Sequence, residues 1–214
     1  MILRIEQIEK ELFTASFIIW RDTVRMGNME VKGKLGSMEA DISIDLFGKT
    51  YELSYAGGLI KSAPLPDKAG KAFRPYQIGG NDGSAGKVYQ VDRKESFFSI
   101  ISFFEMVMES CKYTMYPIGF GREGGKHPVY CGDRQIAQIE KSGEIYNDLH
   151  HYSIYALDQT AAELAVLFCA YMYVNANFKP GEKATKSVVK YTSVTTNKTL
   201  KSKYDPSFKE RIQL

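Results

Sequence analysis

Polar and apolar residues alternate through much of this chain, and a period of two predicts β-strands with one wet face. In one such segment Ile42, Ile44 and Leu46 alternate with Asp and Ser residues. After a turn at 47–49 the alternation resumes at 51–55. The two segments together predict a β-hairpin.

Two segments depart from this alternation. Residues 56–74 are crowded with Gly and Pro, which predicts a long loop. Between 96 and 108 the apolar residues at 97, 100, 101, 104, 107 and 108 form a helical stripe, and Ser96 stands where an N-cap would, so a helix is predicted. A glycine-tipped hairpin at 75–91 precedes it, and strand-like segments with glycine-bearing turns follow from 111 to 157.

An apolar run near the C-terminus predicts a buried helix at about 159–178. Thr160 and Glu163 have the spacing of a capping box. From Leu164 to Val174 no residue is charged, and a helix that is apolar on every face is either buried or membrane-spanning. Only 15 residues separate Glu163 from Lys179, fewer than the roughly 20 that span a bilayer. We therefore expect a core helix and no transmembrane segment.

Strands with one apolar face are the material available to surround that helix. Wrapped around it, they form a closed sheet whose lumen the helix fills. The predicted fold class is therefore mainly β: an antiparallel β-barrel enclosing a hydrophobic C-terminal helix, in a domain that spans 1–178.

The basic character of the chain belongs to its last segment, 179–214. This segment holds nine Lys or Arg and three Asp or Glu, whereas the preceding 178 residues hold 19 and 22. Its β-branched middle predicts an added edge strand, where lysines guard against aggregation. Besides this structural role, the basic segment has two functional alternatives: it could bind acidic lipid, or it could bind nucleic-acid phosphates. Nucleic acid is the less expected partner.

Cysteine content and the N-terminal residues bear on the compartment. Cys111, Cys131 and Cys169 are odd in number and widely spaced, which argues against a disulfide framework and fits a reducing cytoplasm. The first residues include Glu6 and Glu9, where a signal peptide needs an apolar core. We expect a cytoplasmic protein, with association to a membrane surface as an open alternative.

Gly119, Gly121 and Gly124 stand in the G-x-G-x-x-G spacing of dinucleotide-binding loops. That motif works when a helix N-terminus follows the glycines, but a strand-like segment follows here. A Walker loop is excluded as well, because Phe120 and His127 replace its first Gly and its Ser or Thr. The glycines therefore predict a turn between strands.

Arg122 and Lys126 lie on this turn and are the candidate binding residues. Their charges, with the backbone N–H groups of the turn, predict a weak anion site.

Catalytic and metal-binding patterns are weak. Cys131 with Asp148 and either His150 or His151 has the residue types of a nucleophilic triad, but adjacent histidines on a strand face opposite ways. His127 and Cys131, four apart on a strand, would be about 13 Å apart, too far to share a zinc ion. We expect no catalytic residues, no metal and no cofactor.

Three segments carry a resemblance to a known family. They are "HPVYCGDRQIAQIEKSG" at 127–143, "HHYSIYALD" at 150–158 and the apolar "AAELAVLFCAYMY" at 161–173. This succession of two strands, a further strand and a buried helix resembles the tubby-like superfamily, which includes tubby C-terminal domains, phospholipid scramblases, LURP-one-related proteins and uncharacterised bacterial members. Segment 179–214 departs from the pattern, because in tubby domains the helix lies near the chain's end.

The resemblance implies a tubby-like barrel and a non-enzymatic binding protein that engages anionic lipid or a membrane surface. Two alternatives stay open. The loop at 56–74 or the segment 179–214 could dock a protein partner without any lipid ligand, or the protein could be an enzyme whose site no motif identifies.

Overall fold

The computed structural model describes residues 1–35, 39–57, 62–64, 70–96 and 99–213, without the side chains of 62–64 and Ser96. Its strands are β1 Ile2–Lys10, β2 Thr14–Arg21, β3 Val24–Gly33, β4 Ala40–Leu46, β5 Lys49–Tyr55, β6 Ser62–Pro64, β7 Gly70–Gly80, β8 Ala85–Ser96, β9 Ser99–Met108, β10 Cys111–Met115, β11 Ile118–Gly119, β12 Gly125–Cys131, β13 Arg134–Lys141, β14 Glu144–Tyr146, β15 His151–Ala156 and β16 Val188–Lys190. Its helices are α1 Gln159–Ala176, α2 Lys198–Lys201 and α3 Ser207–Gln213, with a 3-10 turn at Gly121–Glu123.

Twelve antiparallel strands close into a barrel, which confirms the predicted fold class. The order is β10-β9-β8-β7-β5-β4-β3-β2-β1-β15-β13-β12, and pairing of β12 with β10 closes the ring. Two short strands lie beside the ring, β6 on β7 and β11 on β12. Closure leaves the ring strands no free edge, so every one of them has two neighbours.

Helix α1 fills the lumen of the barrel, as predicted. Every residue from Ala161 to Val174 is buried, and inward-facing strand residues such as Ile42 and Ile44 close over it. The helix N-cap is Asp158, whose Oδ1 accepts from the N–H of Ala161 at 2.8 Å, so the capping box expected at Thr160 was wrong. Among the described residues, no helix has the length and apolarity needed to cross a membrane.

The helix predicted over 96–108 is wrong, because Ser96 ends β8 and residues 99–108 form β9. Residues 97 and 98 lie outside the described part of the chain. The strand is buried on both faces over 103–106: Phe104 and Met106 point into the lumen, while Phe103 packs with Val91 in a cluster on the outer surface. Apolar residues on both faces blur the period of two and imitate a helical stripe.

The loop predicted over 56–74 is partly strand. Residues 58–61 and 65–69 lie outside the described part of the chain. The rest includes β6 and the beginning of β7, which pair with each other.

The basic segment 179–214 docks on the outside of the barrel. β16 pairs with β14 in a separate two-stranded sheet, and Leu200 and Phe208 of the two short helices are buried. Lysines 183, 190 and 209 make ion pairs with barrel carboxylates, with N–O distances of 3.1 Å in each case. The positive charge of this segment is therefore partly matched by the acidic barrel.

Thiol reactivity provides a direct test of this architecture. Cys111 and Cys131 are exposed, whereas Cys169 lies within α1 with none of its surface exposed, and burial raises the pKa of its thiol. Two thiols are expected to react rapidly with a maleimide in the native protein, and the third only after denaturation. Mass spectrometry of labelled peptides would count them, and fast native labelling of Cys169 would contradict an enclosed helix.

Candidate glycine-loop pocket

A pocket of about 200 Å³ opens at the end of the barrel where α1 finishes. Three parts of the chain form it: the loop 117–125, the inward-facing side chains of His127 and Lys141, and residues 191–195. We call it the glycine-loop pocket and name residues 191–195 the strap. Lys141 places the pocket at this end of the barrel, because its Nζ donates at 2.8 Å to Oδ1 of the helix C-cap, Asn177.

The three glycines form a turn between strands, as predicted, and the strap closes over that turn. The N–H of Gly119 donates to Oγ1 of Thr195, and the N–H of Gly121 donates to the carbonyl of Ser193, both at 2.9 Å. A side chain at Gly119 would strike the carbonyl oxygen of Ser193, so the close approach requires glycine. Because the strap takes these N–H groups, the turn is not an open cradle for a phosphate.

Lys141 is a largely buried amine that has no acidic partner in the described part of the chain. None of the ion pairs found among the described residues involves it, and its bonded partner is the neutral amide oxygen of Asn177. The ring centroid of Tyr191, in the strap, lies 4.6 Å from its Nζ. Burial lowers the pKa of this amine to about 8, since leaving water disfavours the charged form.

His127 adds an unpartnered polar group to the same wall. The side chain is 7% exposed, and neither ring nitrogen has a hydrogen-bond partner within the described residues. Burial, followed by the charge of Lys141, lowers the pKa of the imidazole to about 3, so the ring is neutral at pH 7. A neutral imidazole offers one donor and one acceptor.

The two predicted anion-binding residues lie outside this pocket. Arg122 is exposed in the 3-10 turn. Lys126 is on the outer face of β12, with its Nζ between the rings of Phe120 and Tyr204, 5.5 and 5.4 Å from their centroids, and 3.7 Å from Glu123. The structure does not bring Arg122 and Lys126 together with Lys141, and their binding of an anion stays a prediction.

The residues considered for a nucleophilic triad are far apart. The two ends of β13 show this separation for Cys131 and His150. Cys131 pairs with the first residue of β13. Lys141, the last residue of β13, pairs with Tyr152, which is near His150. Seven residues of strand separate the two ends by roughly 23 Å. His150 and Asp148 do approach each other, at 3.8 Å, but His151 is exposed. No group of three or more His, Cys, Asp or Glu that could hold a metal occurs in the part of the chain that the structure describes.

A second pocket, of about 160 Å³, lies beside the first turns of α1 at the other end of the barrel. Its buried carboxylate, Glu163, accepts from Lys49 Nζ at 3.0 Å, Tyr51 at 2.9 Å and Gln159 at 3.1 Å. These bonds satisfy the carboxylate within the protein, so it has a structural role at that end of the helix.

Sequence reasoning missed Lys141 as a site residue, although a signal was present. Ala137 and Ile139 point into the lumen, and Lys141 continues the same face of β13. A charged residue at an inward position of an alternating strand is the unusual observation that marks a site.

Comparison with protein-family models, with curated proteins and with solved structures found no match to this chain. Fold and site together define the class: a closed twelve-strand antiparallel barrel, filled by a helix, with a strapped pocket at one end.

Proposed function

We propose that this chain is a non-enzymatic binding protein that takes an anionic group, a phosphate or a carboxylate such as lipids carry, into the glycine-loop pocket. The observation that carries the proposal is the largely buried amine of Lys141 at the wall of an accessible pocket, whose hydrogen-bond partner among the described residues is a neutral amide. A relationship to the tubby-like superfamily is part of the proposal, because the segments that resemble it fall on β12, β13, β15 and α1.

The electrostatics of Lys141 favour an anion. A buried charge without a counter-ion is costly, and an anion beside it offsets that cost through an interaction strengthened by the low local dielectric. The hydroxyl groups of Ser142 and Ser193 line the same pocket and add neutral hydrogen-bonding capacity.

Other basic groups are less suited to this role. Lysines 183, 190 and 209 of the basic segment are paired with barrel carboxylates, and Lys126 is held between two aromatic rings. Exposed ion pairs are weak, but they still reduce the net field that a membrane or phosphate would meet. The pocket is therefore favoured over the outer surface of 179–214.

Binding measurements on Lys141→Met test the proposal. Loss of a charge-assisted hydrogen bond worth about 1.5–3 kcal/mol is expected to weaken binding roughly 10- to 100-fold. Calorimetry with inorganic phosphate and co-sedimentation with vesicles of anionic or zwitterionic phospholipid would measure it. Binding to vesicles alone would assign a lipid head group, and binding to free phosphate alone a soluble ligand.

Two comparisons sharpen that experiment. Lys198→Met removes the same charge from an exposed position of α2 that does not line the pocket, and it is expected to leave affinity unchanged. Arg122→Ala with Lys126→Ala tests the site predicted from sequence. Equal affinity in wild type and Lys141→Met, or no binding of either ligand, would overturn the proposal.

A further inference from the structure

We infer that Lys141 is a carbonyl-reactive amine, and that the glycine-loop pocket captures an anionic aldehyde or ketone as a reversible imine. The inference rests on the proposed function, because the same pocket holds the anionic group of the ligand. The neutral fraction of Lys141 attacks the carbonyl, and the imine that forms, once protonated, again places a positive charge beside that anionic group. Three features on one wall support it: the largely buried amine of Lys141, its neutral partner Asn177, and the unpartnered imidazole of His127.

Reactivity towards a carbonyl requires a neutral amine. With a pKa of about 8 instead of 10.5, roughly a tenth of the Lys141 amine is neutral at pH 7, against less than about one part in a thousand for an exposed lysine. Lysines that are desolvated in this way are the ones that serve as amine nucleophiles.

The surroundings of Lys141 keep this amine free of a firm counter-ion. The titratable groups that act on it or face it from the packed elements are His127, Asp148, His150, Tyr152, Cys169 and Tyr191. Asp148 is in contact with Lys10 instead, and burial keeps the thiol of Cys169 protonated. Both groups oppose the fall in the pKa of Lys141, but burial outweighs them, so the pKa stays below the ordinary value for lysine.

The chemical step balances without any further reagent. The nitrogen lone pair of Lys141 attacks the carbonyl carbon, and the carbonyl oxygen takes a proton as the nitrogen loses one. The C–O bond of this carbinolamine then breaks, its hydroxyl leaves as water with the second proton of the nitrogen, and a C=N bond remains; addition of water reverses the step. His127 lines the same pocket as a neutral ring, so it brings no negative charge to Lys141 that would hold the amine protonated.

Pyridoxal phosphate combines an aldehyde with a phosphate and is the probe of choice. After brief exposure at a concentration below that of the protein and reduction with borohydride, peptide mass spectrometry is expected to find the adduct mainly on Lys141. The labelling rate should rise as pH passes through about 8, the pKa of Lys141, and not only above 10. Pyridoxal, which lacks the phosphate, should label this residue at least about 10-fold more slowly.

Failure of the inference is distinguishable from failure of the proposed function. Lys141→Arg is expected to lose the adduct while still binding inorganic phosphate, and Lys198→Arg should retain the adduct. Labels spread over exposed lysines, with Lys141 unmodified and phosphate binding intact, would overturn the imine alone. Absence of phosphate binding by the wild-type protein would overturn the proposed function and the inference with it.

Discussion

Substitution of Phe168 by alanine is expected to lower the free energy of unfolding by about 3–5 kcal/mol. The side chain lies in the middle of α1 with none of its surface exposed, and it belongs to the cluster that fills the lumen. Removing the ring costs its transfer free energy and leaves a cavity that twelve hydrogen-bonded strands cannot readily collapse to fill. Urea unfolding followed by fluorescence and circular dichroism would measure the loss.

Ile100→Ala is the matched control, because Ile100 is a large apolar side chain that is 69% exposed on β9. Its effect should stay within about 0.5 kcal/mol. If Phe168→Ala also cost less than about 1 kcal/mol, the helix would not be packed inside the barrel.

The same helix explains why the sequence predicted so much of the fold. The charge-free run from Leu164 to Val174 requires an apolar enclosure, and one-sided strands such as β4 can provide it only by closing around the helix. Both patterns are local, so they can be read from residues that are neighbours in the chain.

β9 was mispredicted because its environment depends on distant residues. Its outer face contacts Tyr116 through Phe103, and Asn197 of the basic segment approaches Ser99 at 3.4 Å. Neither contact is visible in the pattern of 96–108 itself. A strand covered on both faces has no polar side to mark its period.

The pocket was only partly predictable, for the same reason. The glycine turn followed from local chemistry, since no helix begins after it. The partners of that turn are the end of β13 and the strap, which lie about 20 and 70 residues further along the chain. Local reasoning therefore selected Arg122 and Lys126 and passed over Lys141.

Acidification from pH 7 to 4.5 is expected to remove about 4–5 kcal/mol from the free energy of unfolding. His127 and His150 are buried as neutral rings, and burial, with nearby lysines, lowers the pKa of each from 6.5 to about 3. Between these values the unfolded chain binds two protons that the folded chain does not, so stability falls as pH falls, by about 1.4 kcal/mol per pH unit for each histidine. The free energy of unfolding of a whole domain is only about 5–15 kcal/mol, so this loss is a large share of it.

The neighbouring histidine makes the internal control. His151 is exposed and is the weakest of the four influences that lower the pKa of His150, so His151→Gln should change the dependence of stability on pH far less than the other two substitutions. His127→Gln and His150→Gln should each reduce its slope by about half. Urea titrations at several pH values between 4.5 and 7.5 give these slopes directly. A change in the wild-type free energy of unfolding of less than about 1 kcal/mol over this range would contradict the prediction, because it would mean that protons reach both rings in the folded barrel. Lys141 lies beside these rings, so it would then be as open to water as a surface lysine.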